Sequence, residues 1–164
     1  EIIETGKFVP DELIVELVSD RVQKQDCKTG FILDGFPRTL LQAKALDGLL
    51  GSQGRAIECV IDIAVDENAL VRRITGRYSC DRCGFGYHEE FQNPKVEGVC
   101  DKCSGRDFSK RADDNERTVR ARLVEYHIQT EPIIGYYEKA GVLSRVDGMA
   151  DIGKVTKQIV RILG

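Results

Sequence analysis

Tryptophan is absent from this 164-residue chain, methionine occurs once, and histidine only twice. No Ser/His/Asp or Cys/His arrangement for nucleophilic catalysis is apparent around the two histidines. No apolar run approaches the roughly 18 residues that a membrane-spanning helix requires, and no secretory leader is read in the sequence. Internal repeats and low-complexity stretches are missing as well. What remains is 41% hydrophobic and 31% charged residues, the balance of an ordinary globular domain with or without a small insert.

The net charge of −3 conceals a division. Between Arg72 and Arg122 there are 12 Lys/Arg against 9 Asp/Glu, whereas the rest holds 12 against 18. A local excess of this size suits phosphorylated small molecules better than a nucleic-acid duplex, which calls for a denser basic face.

Four of the six cysteines, Cys80, Cys83, Cys100 and Cys103, form a C-x2-C-x16-C-x2-C array inside that basic part. Each C-x2-C places two thiolates on one side of a tight knuckle, and two knuckles supply the tetrahedral corners that Zn²⁺ prefers. A closed four-thiolate site leaves no position for water, so the expected role is structural. Metal spacing also argues for a reducing compartment over a disulfide framework. Cys27 and Cys59 read as small buried or half-buried residues. His88, close to the array, is the competing ligand candidate, and His127 reads as a packed or surface residue.

Hydrophobic periodicity predicts an amphipathic helix over 10–27 with Leu13, Ile14, Leu17, Val18 and Val22 on one face. FILDGF (31–36) is predicted to be a short buried strand. Thr39 with Gln42 offers a capping box for the next helix, whose inner side carries Leu46, Leu49 and Leu50. CVIDIAV (59–65) is a second strand, followed by a helix capped by Asp66. Residues 77–112 lose helical period and form the metal-held insert. Asp113 with Glu116 reads as a capping box for a helix to about Lys139, and VLSRVDG (142–148) as a third strand. Asp151 then caps a last helix with Val155, Ile159 and Ile162 inward. Alternating strands and helices give an α/β fold with a parallel sheet.

Two groups could carry chemistry. LDGFPRT (33–39) places Asp34 at the carboxyl end of a strand, where open α/β sheets bind ligands. Gly35 permits close backbone approach, and Arg38 offers a planar fork for phosphate. A plain strand-to-helix turn with a solvated Arg38 is an equal reading. The second group is arginine at both hinges of the insert: Arg73 and Arg77 before it, and Arg111, Arg120 and Arg122 after it. Positioned positive charge is the main requirement of phosphoryl transfer; solvated helix-surface arginines are the plainer alternative.

Taken in order, FILDGFPRT, Gln42, Gly76–Arg77, the four-Cys insert, RADDNERTVRARLVEYH and IGYY resemble bacterial adenylate kinases with a zinc-bearing lid. The resemblance covers essentially the whole chain. It implies a nucleoside monophosphate kinase core of the P-loop class over 1–76 and 113–164, with 77–112 as a zinc-ribbon-like lid and 1–9 the remnant of an AMP-binding segment. It implies reversible transfer of a phosphoryl group between ATP and AMP, giving two ADP, with Mg²⁺ accompanying ATP and Zn²⁺ in the lid. Asp34 would organise hydrated Mg²⁺. Lys7, Phe8, Val9, Gly35, Phe36, Pro37, Arg38 and Gln42 would contact AMP, with Arg38 on its phosphate and Gln42 on adenine. Arg73, Arg77, Gly86, Tyr87 and the Ala150 carbonyl would contact ATP. Arg111 and Arg122 would bridge phosphates, while Asp113 and Asp114 pin arginines of the lid. A cytoplasmic, usually monomeric enzyme without nucleic-acid or membrane partners is implied.

The phosphate loop of that family, G-x-x-x-x-G-K-[ST], has no match here. Roughly the first fifty residues of a typical member are therefore expected to be absent, leaving an inactive C-terminal part whose unpaired strand edges favour self-association. The alternatives are a zinc-ribbon module binding nucleic acid or protein, and another nucleoside monophosphate kinase. Asp81 and Asp101 offset Arg82 and Lys102 on the knuckles, which counts against the first.

Overall fold

The computed structural model describes residues 10–164. They form two compact units, one drawn from residues 10–63, Tyr126–Val146 and Ile152–Gly164, the other from Ala64–Glu125 and Asp147–Asp151.

The first unit begins with α1 (Asp11–Val22) and α2 (Leu40–Ser52). Asp11 ties them together. Its carboxylate accepts from the Thr39 hydroxyl at 2.9 Å and from Gln42 Nε2 at 2.7 Å. Thr39 caps α2 by accepting from the Gln42 backbone N–H at 3.2 Å, as its position at the helix start predicts. The reciprocal half of the box is displaced by one residue, because Gln42 Oε1 accepts from the Arg38 N–H at 2.7 Å and not from that of Thr39. Helix α1 is shorter than its periodicity suggests, and only one side of the predicted face is covered. Val22 is buried and Ile14 and Val18 half-buried, whereas Leu13 and Leu17 are exposed.

Ala43 of α2 packs with Ile133 and Tyr137 of α5 (Glu131–Lys139), and Val60, Val142 and Leu143 close the cluster. The last three belong to or border strands β1 (Val60–Ala64) and β5 (Leu143–Asp147), which pair with one another. The pairing is parallel: the Val60 N–H donates to the Val142 carbonyl at the start, and Gly148 N–H to Ala64 at the end. An α/β fold with a parallel sheet is thus present.

FILDGF forms no strand, contrary to expectation. A strand exists only through lateral hydrogen bonds, and among the described residues none runs beside it; Ile32 is 84% exposed. In α6 (Ile152–Leu163), Val155, Ile159 and Ile162 are half-buried and no residue is fully buried.

In the second unit, α3 (Glu67–Thr75) is capped by Asp66, whose Oδ1 accepts from the Ala69 N–H at 2.9 Å. Three short strands follow, β2 (Arg77–Cys80), β3 (Gly86–His88) and β4 (Phe108–Ser109). They make an antiparallel sheet in the order β3-β2-β4, with Arg77 opposite His88 and Tyr78 opposite Tyr87. Helix α4 (Glu116–Glu125) packs against α3 and buries Val119. Its cap corrects the expected one: Asn115 Oδ1 accepts from the Thr118 N–H at 3.0 Å, because the Asp113 carboxylate is committed to Arg122. The predicted uninterrupted helix to Lys139 contains a π-helical turn at Tyr126–Thr130, just before Pro132. Proline has no N–H to continue an ordinary helical ladder, and a wider turn absorbs the defect.

Candidate functional site

The four cysteines of the array converge. Their Sγ atoms all lie within 4.8 Å of one another. Cys80 and Cys103 are 3.6 Å apart, as are Cys83 and Cys100. Tetrahedral Zn²⁺ with Zn–S of about 2.3 Å would set the sulfurs about 3.8 Å apart, so the donor set fits the ion in number, chemistry and spacing.

Two matching turns build the cluster. Gly84 N–H returns to the Cys80 carbonyl and Ser104 N–H to the Cys100 carbonyl, each at 2.8 Å. Both turns end in the left-handed region, with φ of +69° at Gly84 and +56° at Ser104. Tyr87 lies against the sulfurs at 3% exposure. Its hydroxyl donates to Cys100 Sγ at 3.4 Å and accepts from the Asp101 N–H at 2.7 Å. Burial and the neighbouring Cys100 sulfur push the phenol up to about 12, so it keeps its proton. Burial alone would raise the Cys100 thiol, but the Tyr87 hydroxyl and the backbone N–H groups of Lys102 and Cys103 outweigh it, bringing the thiol to about 6.

His88 is not part of the cluster. Its Nδ1 accepts from the Glu90 and Phe91 N–H groups at 3.0 and 3.3 Å, and Nε2 lies 3.2 Å from the Arg72 carbonyl. An acceptor role at Nδ1 fixes the proton on Nε2, which donates to that carbonyl. His127 is half-exposed and pairs with Glu131 at 2.9 Å.

The arginines around the insert divide by partner. Arg77 makes a two-pronged bridge to Asp114, at 2.5 and 2.8 Å, and the Asp114 side chain is fully buried. Hydrogen bonding to that carboxylate raises the Arg77 pKa further. Arg122 pairs with Asp113, and this bond holds the Asp113 carboxyl below its ordinary value. Arg73 donates to the Gly148 carbonyl at 2.8 Å, two residues before Ala150. Arg111 is exposed and its guanidinium has no hydrogen bond or ion pair among the described residues. Arg120 forms a surface pair with Glu116.

In the first unit, Gly35 adopts φ of +74°, and a Cβ there would meet Arg38 Nη2 at 3.0 Å. Arg38 Nε donates to the Gly35 carbonyl at 2.8 Å, folding the side chain back over the turn. The Phe36–Pro37 peptide is cis. Asp34 is exposed, whereas the Gln42 amide is buried and its ends are held by Arg38 N–H and Asp11. Lys7, Phe8 and Val9 lie outside the described residues.

The adenylate kinase family model matches residues 1–142. The chain is 52% identical to the adenylate kinase of Zymomonas mobilis over 163 residues, spanning 99% of this chain and 73% of that protein. It is 51% identical to the adenylate kinases of Novosphingobium aromaticivorans and Magnetococcus marinus, spanning 75% and 76% of their lengths. The chain belongs to the adenylate kinase family.

Adenylate kinases are nucleoside monophosphate phosphotransferases. Sequence reasoning overlooked three elements of this adenylate kinase. Asp11 sits in the first turn of a helix, where acidic residues are common, and no local signal marks its bonds to Thr39 and Gln42. The Arg72 carbonyl is a backbone group without a sequence signature. The third is the direction of the Tyr87 phenol, which turns toward the Cys100 sulfur; the resemblance names Tyr87 as an ATP contact without specifying an atom. Among the described residues, no helix is long and apolar enough to cross a membrane.

Proposed function

We propose that this adenylate kinase carries out reversible phosphoryl transfer between ATP and AMP to give two ADP. The observation that carries the reading is the match to adenylate kinases across nearly the whole chain. Within it stands an LDGFPRT turn whose glycine is held at positive φ against Arg38.

AMP is bound through Lys7, Phe8, Val9, Gly35, Phe36, Pro37, Arg38 and Gln42, Arg38 taking its phosphate. Since the Gln42 amide is engaged by Asp11, contact with adenine requires that bond to yield. ATP is bound by Arg73 and Arg77, by the backbone of Gly86 and Tyr87, and by the Ala150 carbonyl. Arg111 and Arg122 carry positive charge to the phosphoryl group in flight. A fork of N–H donors suits the equatorial oxygens of that group, and its fixed charge needs no reorganisation when negative charge spreads. Asp34 orients the water shell of the Mg²⁺ that accompanies ATP, which supplies neutralising charge.

Residues 77–112 form the lid, with residues 1–76 and 113–164 as the core. Zn²⁺ held by Cys80, Cys83, Cys100 and Cys103 crosslinks the lid and takes no part in chemistry. Six unpaired cysteines suit the reducing conditions of the cytoplasm.

The deciding assay measures ADP formation from ATP with AMP, UMP, CMP or GMP, using the protein that carries this sequence. AMP should be the preferred acceptor; a preference for another base would overturn the substrate assignment. Arg38→Ala should raise KM for AMP more than for ATP. One zinc per chain is expected by elemental analysis, and its loss in Cys80→Ser checks the metal assignment.

A further inference from the structure

We infer that Tyr87 is a positioning residue for the metal: its hydroxyl steadies the Cys100 thiolate and joins the zinc cluster to the strand that faces ATP. This rests on the zinc reading above.

The phenol is locked on every side. Tyr78 stacks on the ring at 5.6 Å, and Phe85 and Phe108 meet it edge-on at 5.1 and 5.6 Å. Only the hydroxyl is polar, and both of its directions are used, toward Cys100 Sγ and from the Asp101 N–H. Asp101 immediately follows Cys100, so the single oxygen grips the second knuckle at two consecutive residues.

Outer hydrogen bonds of this kind orient a ligand and temper its charge, and losing one typically weakens metal affinity about 10–100-fold. The phenol is therefore not available to a nucleotide. Whatever Tyr87 offers ATP comes from its backbone in β3, which pairs with β2 at Tyr78↔Tyr87 and Ser79↔Gly86. Strand β3 thus has two anchors, the ladder to β2 and the sulfur cluster. The second exists only where the thiolates are gathered.

Tyr87→Phe keeps the ring and removes the hydroxyl. Competition with a chromogenic chelator should show zinc held about 10–100-fold more weakly than in the unaltered protein. With Co²⁺ as the probe, the sulfur-to-metal charge-transfer band should move, since one sulfur loses its donor. Unchanged affinity together with an unchanged band would overturn the inference while leaving the zinc site standing. If the unaltered protein took up no zinc, the zinc reading and this inference would both fall. Should Tyr87→Phe not fold, chelation of the unaltered protein provides the second measurement. A tyrosine difference band that persists in Tyr78→Phe supports the inference, and its absence overturns it.

Discussion

Gly76 and His88 occupy one another's space: a Cβ at position 76 would stand 2.5 Å from both Cε1 and Nε2 of the imidazole. The backbone at Gly76 has φ of −88°, which any residue adopts, so glycine is needed for room and not for conformation. Gly76→Ala should expel the ring from its bond to the Arg72 carbonyl. The expected cost is about 1–3 kcal/mol, as for other overpacked interiors. Thermal melting checks it, and Gly76→Ala placed in a His88→Ala background should cost clearly less, because the obstruction has gone.

Arg77 and Asp114 form the bridge in which one partner is wholly buried and the other half-exposed. Removing the cation leaves a carboxylate without solvent or counter-charge. Complete burial would make that cost about 3–5 kcal/mol. With the guanidinium 43% exposed, the expectation for Arg77→Ala falls to about 1–3 kcal/mol. Arg77→Lys should recover only part, since an ammonium cannot make the two-pronged contact. Urea denaturation of the three proteins would decide, and equal stability of Ala and wild type would refute the claim.

Asp113 supplies a pH signature. Its carboxyl is held below the ordinary 3.8 by the hydrogen bond from Arg122. A depressed folded-state value contributes stability that is complete above the ordinary value and disappears as pH falls through the lowered one. Asp113→Asn should therefore melt below wild type near neutrality, and the two curves should converge under acid conditions below pH of about 4. A constant gap down the acid limb would count against the assignment.

Tyr136 and Tyr137 are neighbours with opposite expectations. The Tyr136 hydroxyl donates to Asp47 Oδ2 at 2.7 Å. That of Tyr137 is buried and makes no hydrogen bond of good geometry among the described residues; burial raises its pKa, and the Asp47 carboxylate that Tyr136 holds is near enough to raise it as well. Tyr136→Phe should destabilise by about 1–2 kcal/mol, whereas Tyr137→Phe should be neutral or stabilising by up to about 1 kcal/mol. Parallel melts of the two variants test the contrast directly.

What could be read from sequence follows the range of the interactions involved. The sulfur cluster was legible because each knuckle is four residues long and metal geometry dictates the rest. The Asp66 cap was legible for the same reason of locality. At Asp113 the local signal failed, since Arg122 nine residues on competes for the carboxylate and Asn115 takes over the cap. FILDGF carries strand composition, but pairing is lateral and has no expression in the segment itself. Leu13 and Leu17 fit a helical stripe as well as Ile14 and Val18 do, and periodicity alone cannot choose between overlapping faces. Of the residues proposed to handle phosphate, the arginines were visible as a charge excess. Their partners Asp113 and Asp114 became specific only through the family's R-x-D-D run, and the inward turn of Tyr87 had no visible sign.

The paired turns at Cys80–Gly84 and Cys100–Ser104 have a consequence for how the insert tolerates change. Each is closed by its own backbone bonds, so an ion taken by the four thiolates would rivet two prefabricated halves instead of shaping either. Of the stretch between them, β3 is fixed by its ladder to β2, and only the residues after it form a spacer whose length matters little, because doubling a loop costs only about 0.6 kcal/mol. Variation among four-cysteine inserts of this design should accumulate in that spacer, while the two turns on either side stay fixed in length.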